Sequence, residues 1–386
     1  MNQIKILILL CIFLSLCVVT VHASGNLDKN YSELNKITPG CAVGVRQNGK
    51  WFHEGYYGMA NIQYNIPISR QTIFHVGSIT KHFTTALVLI LEYEKKLSLL
   101  DSLKKYWPEG PKWAEEISLY QLIHHTSGMP DYINDQRTSN ALISQILNNQ
   151  QVLRNMFIGM PIPKKFIDNQ IRLYFSTLPS LQFQPGKQVI YSNTGYFFLG
   201  YIIEKVTRKS ISEFAKEKLF IPLNMNNTYY SDATDKSILM SASGYHVIDF
   251  TNHKFYPTNS LVPTNGDGGV FTTIQDFAKW IDHLTNPVIE PNSVWKKFLM
   301  LKDSKYGDAV KLRGVKYRNG LFALNQANDN IIYYHHGKTL DGIFSQFWID
   351  LKKGFSFIQF CNFDYESYTK GFDRRWLYGE FGIKYN

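Results

Sequence analysis

Strand-forming segments at both ends of this chain enclose a long helical middle, and that order leaves it few folds. Residues 43–45 and 51–58 carry β-branched and aromatic side chains on either side of Gln47-Asn48-Gly49, an Asn-Gly signal that closes hairpins. Three more such segments, 331–335, Phe344–Asp350 and Phe355–Cys361, come late in the chain. In between, apolar residues follow helical spacing, as in Phe83, Ala86, Leu87, Leu89, Ile90 and Leu91, and again from Thr194 to Glu204. One antiparallel sheet built from both chain ends, with helices packed on it and a mostly helical lobe between, buries all of these faces. The predicted class is therefore α+β.

Three short segments concentrate reactive side chains. In Ser78-Ile79-Thr80-Lys81 a lysine follows a serine by three residues. A serine hydroxyl is a weak nucleophile near neutral pH and needs a proton acceptor within hydrogen-bond reach. On a helix, a lysine three residues on lies one turn away on the same face. The apolar stretch that follows places Ser78 in a first helical turn, where unpaired backbone N–H groups favour negative charge. Alone, this four-residue pattern is weak, because chance supplies it in many chains. In Tyr191-Ser192-Asn193 a phenol and a carboxamide two residues apart aim at one side of an extended backbone. Beside a lysine ammonium the phenol is expected to ionise below its usual pKa of about 10, making Tyr191 a candidate base and later acid. The same residues also suit the first turn of a buried core helix. The third segment is His335-His336-Gly337-Lys338, at the end of a predicted strand.

In this order the segments resemble the motifs of the serine β-lactamase and penicillin-binding-protein superfamily, in its class C β-lactamase-related branch, where YSN replaces SDN. The similarity spans residues 39–363 and takes in Leu122-Ile123-His124-His125-Thr126-Ser127-Gly128-Met129-Pro130-Asp131-Tyr132, Phe183-Gln184-Pro185-Gly186 and Gly266-Asp267-Gly268-Gly269. Phe271-Thr272-Thr273 and the helical Asp276-Phe277-Ala278-Lys279-Trp280 extend it. The resemblance implies that Ser78 attacks an acyl carbonyl while Lys81 and Tyr191 share its proton, and that water hydrolyses the acyl-enzyme. It implies an oxyanion hole from the N–H of Ser78 and one near Thr339, and a role for Asn193 in binding a substrate amide or steadying Lys81. No metal or organic cofactor is required. His124, His125 and Asp267 read as loop structure.

The third segment departs from the family's Lys-Thr/Ser-Gly. Two registers fit: His336-Gly337-Lys338, counted back from Gly342 and preferred for that spacing, or His335-His336-Gly337, which keeps a glycine third. Either one replaces a fixed cation with an imidazole that is neutral near pH 7, unless Lys338 turns inward. The histidine form resembles the family's esterases and D-aminopeptidases, which points to a general acyl hydrolase with weak β-lactamase action. Its substrate is then a small molecule or peptide, peptidoglycan-derived peptides included. The alternative left open is a catalytically silent cell-wall-binding or scaffold protein.

Met1-Asn2-Gln3-Ile4-Lys5, an apolar run from Ile6 to Val21 and Val21-His22-Ala23 have the form of a secretory signal peptide cut after Ala23. The run is shorter than the roughly 20 residues that span a bilayer comfortably, so residues 24–386 are expected as an exported domain, periplasmic or secreted, without a stable membrane span. The net charge of +10 comes from scattered lysines and fits either anionic surroundings or solubility. No basic stripe with interleaved aromatics argues for nucleic acid. Cys41 and Cys361 are the cysteines beyond residue 23. The family fold sets the first and last strands side by side, which implies a Cys41–Cys361 disulfide; two buried free thiols are the alternative.

Overall fold

The computed structural model describes residues 27–365 apart from 158–161, 232–240, 259–265, 303–304, 306–307 and 327–328. The expected signal segment lies outside the described residues. Strands β1 (Cys41–Gln47) and β2 (Lys50–Tyr57) form the first hairpin. Its turn residues Asn48 and Gly49 both have positive φ, 50° and 77°, the pairing an Asn-Gly turn accommodates. A short strand, β3 (Phe74–His75), leads into a 3-10 turn, Gly77–Ile79, and then helix α1 (Thr80–Tyr93). Much later come helix α2 (Asn193–Thr207), strand β4 (Val270–Thr272), which pairs with β3, and helix α3 (Ile274–Thr285). Six strands finish the described chain: β5 (Val310–Leu312), β6 (Val315–Arg318), β7 (Leu321–Asn325), β8 (Ile331–Lys338), β9 (Phe344–Asp350) and β10 (Phe355–Cys361).

The main sheet is eight-stranded in the order β5-β6-β7-β8-β9-β10-β1-β2, every neighbouring pair antiparallel. It is the α+β sheet from both chain ends that the sequence predicts, widened by β5, β6 and β7. One face packs on α1 and α3 through Phe83, Leu87, Phe277, Trp280, Phe347 and Ile358. The other carries Tyr31, Tyr334, Trp348 and Phe357. Strand β8 outruns its neighbour β7, which pairs only with its first half, Ile331 to Tyr334. The second half, His335 to Lys338, is thus a sheet edge facing the Ser78 turn.

Cys41 lies directly opposite Cys361 in the β1–β10 ladder, and a disulfide joins them. The link ties two strands 320 residues apart in sequence. A cross-link closing so long a loop restricts the unfolded chain and typically contributes about 2–4 kcal/mol. Under non-reducing denaturation both thiols should resist alkylation, and reduction should lower the melting temperature. Two freely alkylated thiols, or an unchanged melting temperature after verified reduction, would contradict the link.

Candidate active site

Helix α1 is buried along almost its whole length, polar residues included, because its first two turns grip the segment before β4. Thr80 Oγ1 accepts from the N–H of Val270 at 2.9 Å, and Thr84 Oγ1 donates to the carbonyl of Gly266 at 2.5 Å. Between them Lys81 reaches inward, fully buried. Its Nζ lies 2.7 Å from Asn193 Oδ1, 2.8 Å from the carbonyl of Asp267 and 3.1 Å from Ser78 Oγ. The first two contacts are acceptors only, so a neutral amine spends its two hydrogens on them and turns its lone pair to the serine hydroxyl. Burial pushes the Lys81 pKa down to about 8, against the opposing pull of the Asp267 and Asp131 carboxylates. Ser78 itself sits in the 3-10 turn just ahead of α1 rather than in the first α-helical turn.

Tyr191 shares this pocket but does not ionise easily. The Lys81 ammonium lies over the phenol ring, 4.9 Å from its centroid. Burial drives the phenol pKa up, and the Asp131 and Asp267 charges add to this; contacts with Ser78 and Arg313 oppose it without winning. The sequence expectation of an easily ionised tyrosine is therefore corrected. Desolvation outweighs a cation that sits on the ring face instead of at the oxygen. Tyr191 stands beside Ser78 as a protonated hydroxyl.

Ser192 precedes α2, and Asn193 opens it with its side chain fixed at both ends. While its Oδ1 accepts from Lys81, its Nδ2 donates to Asp131 at 3.0 and 3.2 Å, and its backbone N–H donates to Asp131 at 3.0 Å. The amide therefore steadies Lys81; its N–H groups are committed to Asp131. His125 accepts from the N–H of Ser192 at 3.1 Å, and its ring packs 4.4 Å from that of Tyr191. Both His124 and His125 are buried and held neutral by desolvation, a positioning part for His125 and a structural one for His124.

Side chains alternate along β8. His335 and Gly337 lie on the α1 face with Phe347 and Ser345, while His336 and Lys338 lie on the other with Gln346 and Phe344. A β-carbon at Gly337 would sit 2.1 Å from the carbonyl oxygen of Val76 and 3.0 Å from the nitrogen of Ser78. Only glycine lets the strand approach the nucleophile turn this closely. The pleat favours the His335-His336-Gly337 register and corrects the preference for His336-Gly337-Lys338, because counting back from Gly342 treats turn length as fixed. Lys338 does not restore the charge inside the site; its Nζ pairs with Asp364 at 2.9 Å. His335 is buried beside Lys81 and His336, and desolvation holds it neutral. The N–H of Thr339 is bonded to the carbonyl of Ile343 at 3.1 Å. The strand N–H turned toward the Ser78 edge is that of Lys338, whose carbonyl oxygen is 3.1 Å from where a β-carbon on Gly77 would sit.

The family description Beta-lactamase matches residues 27–380. The chain belongs to the β-lactamase family. It is 26% identical over 336 residues to Protein flp of Staphylococcus aureus, which covers 86% of this chain and 61% of that protein. The chain thus spans about 61% of the length of this curated relative. Its fold is similar to that of the octameric penicillin-binding protein homologue from Pyrococcus abyssi, with a TM-score of 0.69, 23% identity and coverage of 88% and 73%. The D-amino acid amidase from Ochrobactrum anthropi is similar too, with a TM-score of 0.67, 21% identity and coverage of 89% and 91%.

In this β-lactamase-family chain, sequence reasoning missed three site residues. Asp131 locks Asn193, the Asp267 carbonyl holds Lys81, and Arg313, on the β5–β6 turn, stands 5.9 Å from the centroid of the Tyr191 ring. Arg313 also lines a cavity of about 300 Å³ with His335, His336, Gln346, Phe322 and Trp348. A larger cavity of about 620 Å³, by Arg46 and Asp282, contains none of the motif residues. Signals for the missed residues were thin: one Asp in a Pro-Asp loop, one among glycines, and an Arg-Gly turn.

Phosphonylation of Ser78 by a fluorophosphonate, with loss of fluoride, should rise with pH as Lys81 loses its proton near pH 8. The Asp131 charge raises the Lys81 pKa, so Asp131→Asn should move that rising limb to lower pH, by up to about one unit. A limb that stays put or moves to higher pH would contradict this assignment.

Proposed function

We propose that this chain is an exported serine hydrolase that forms an acyl-enzyme on Ser78 with an ester, amide or peptide substrate. The observation that carries this reading is the buried amine of Lys81 at 3.1 Å from Ser78 Oγ, with its two other contacts taken by acceptors. As Ser78 Oγ attacks the acyl carbon, its proton passes to Lys81 Nζ. Oxyanion charge develops beside the N–H groups of Ser78 and Lys338, which hydrogen-bond it in place. The tetrahedral adduct then collapses. Tyr191, kept protonated by burial, donates to the departing oxygen or nitrogen and is reprotonated from the Lys81 ammonium. In the second half-reaction Lys81, neutral again, takes a proton from the attacking water and returns it to Ser78 Oγ as the Oγ–acyl bond breaks, releasing the acid.

Support for export comes from the signal-type opening of the sequence and from a disulfide suited to an oxidising compartment. Support for the substrate class comes from the amidase and penicillin-binding relatives and from the histidine variant of the third motif. D-amino-acid amides, short peptides of the peptidoglycan type and neutral esters are the substrates to screen. The intact Ser78, Lys81 and Tyr191 set speaks against a silent scaffold.

Ser78→Ala should abolish turnover and fluorophosphonate labelling while leaving the melting temperature within about 1 °C, since alanine removes only the nucleophile. Turnover above about a hundredth of the parent rate in that folded variant would remove Ser78 from its role. Arg313 supplies the permanent cation that the third motif lacks. Because it is exposed, Arg313→Ala should lower kcat/KM for carboxylate-bearing substrates by a moderate factor, about 3–10-fold. Neutral esters should change less than about twofold. Equal losses on both substrate types would show that Arg313 does not read a carboxylate.

A further inference from the structure

His75, three residues before the nucleophile, is buried with both ring nitrogens turned toward acceptors. Its Nε2 lies 2.5 Å from the carbonyl oxygen of Gly268, and its Nδ1 lies 3.9 Å from Asp341 Oδ1. A carbonyl and a carboxylate offer no hydrogen. Nε2 must therefore carry one, and a neutral ring would then set its Nδ1 lone pair against the Asp341 carboxylate. The imidazolium alone has an N–H for each. Stacking on Phe271, with centroids 4.6 Å apart and planes 4° apart, holds the ring in this orientation. Neither His75 Nδ1 nor Asp341 Oδ1 has a hydrogen-bond partner, so the two buried atoms face one another at ion-pair distance.

Among the described residues, the charged groups facing the ring are Asp341, from the turn after β8, and Asp267, from the segment before β4. Tyr229 stacks on the Phe271 ring, with centroids 5.4 Å apart. Burial pulls the His75 pKa down, but Asp341, the Gly268 carbonyl and Asp267 together carry it above its ordinary value. Asp341 is in turn held below the usual carboxylate range, where burial is outweighed by His75 and Thr339.

Gly268 follows Asp267, whose carbonyl accepts from Lys81 at 2.8 Å. Asp341 belongs to the turn that joins β8 to β9, immediately beyond the edge on which Gly337 meets Ser78. We propose that His75, as an imidazolium paired with Asp341, is a positioning residue that holds the 267–268 backbone on Lys81 and the β8–β9 turn against the nucleophile. Acyl transfer at Ser78 then requires this ring to be protonated. The consequence for rate rests on the hydrolase reading, whereas the protonation of the ring does not. Lys81 must be neutral and His75 charged, so the rate passes through a maximum with pH, Lys81 supplying the dependence that favours high pH and His75 the one that favours low pH.

Two readouts on the full chain test this: the ring ¹⁵N resonances of His75, assigned by their loss in His75→Arg, and the pH profile of fluorophosphonate labelling at Ser78. In the parent the His75 midpoint should lie above the ordinary histidine value, with both ring nitrogens protonated below it. Asp341→Asn should lower the His75 midpoint by about one unit and carry the falling limb with it. His75→Arg, a permanent cation, should lose the falling limb and keep the rising one. A His75 midpoint at or below the ordinary histidine value, a midpoint unmoved in Asp341→Asn, or a falling limb that persists in His75→Arg overturns the proposal. If His75→Arg does not fold, the resonances are assigned by their loss in His75→Gln and the Asp341→Asn midpoint decides between these results. Failure of the parent to label at all overturns the hydrolase reading and the rate claim with it, while the ¹⁵N midpoint still decides the ion pair.

Discussion

A lysine amine with no access to water organises the centre of this molecule. Lys81 collects contacts from three separate parts of the chain: the nucleophile turn, the start of α2 and the segment before β4. Each of those parts is pinned elsewhere, by Asp131 on Asn193, by Thr80 and Thr84 on the 266–270 backbone, and by Ser345 on the carbonyl of Val76. The arrangement opposes stability. A lysine whose folded pKa is about 8 instead of 10.5 penalises the native state by roughly 3 kcal/mol at pH below the folded value. That penalty fades as pH rises from the folded toward the unfolded pKa. A wholly structural role gives no reason to keep such a group; a base that works near neutral pH does.

Electrostatics around that amine divide the labour. Desolvation acts in one direction on every group, toward its neutral form, and so Lys81 is lowered, Tyr191 is raised and His335 is kept uncharged. The neutral forms are complementary: an amine that accepts, a phenol that donates and an imidazole that leaves the substrate edge without a fixed cation. Arg313 brings charge back from an exposed turn beside the Tyr191 ring, where solvent weakens its hold on any anion.

Much of the fold was legible because its strands announce themselves chemically. The β1–β2 hairpin follows from Asn48-Gly49, and the bounds of β9 and β10 coincide with the segments read from sequence. Strands β5 to β7 were missed because Lys311, Lys316 and Arg318 mask a short alternating pattern, although Asn319-Gly320 between β6 and β7 is the same turn signal, with φ of 53° and 83°. At the site, residue types and spacing brought out Ser78, Lys81, Tyr191 and Asn193. What they do not encode is which face of a ring a cation meets, or how deep a phenol lies, and these decide that Tyr191 stays protonated. The register of the third segment was likewise beyond a count of residues; the close approach of Gly337 to the Val76 carbonyl settles which side chains face α1.

The central claim is that burial makes Lys81 the base, and its titration can be observed directly. Chain carrying ¹³C at lysine Cε, with the Lys81 signal assigned by its loss in Lys81→Met, gives that midpoint by NMR independently of any substrate. The account predicts a midpoint near the value of about 8 set by desolvation. A midpoint at or above the ordinary lysine pKa of about 10.4 would mean a permanently charged ammonium, and would contradict the mechanism.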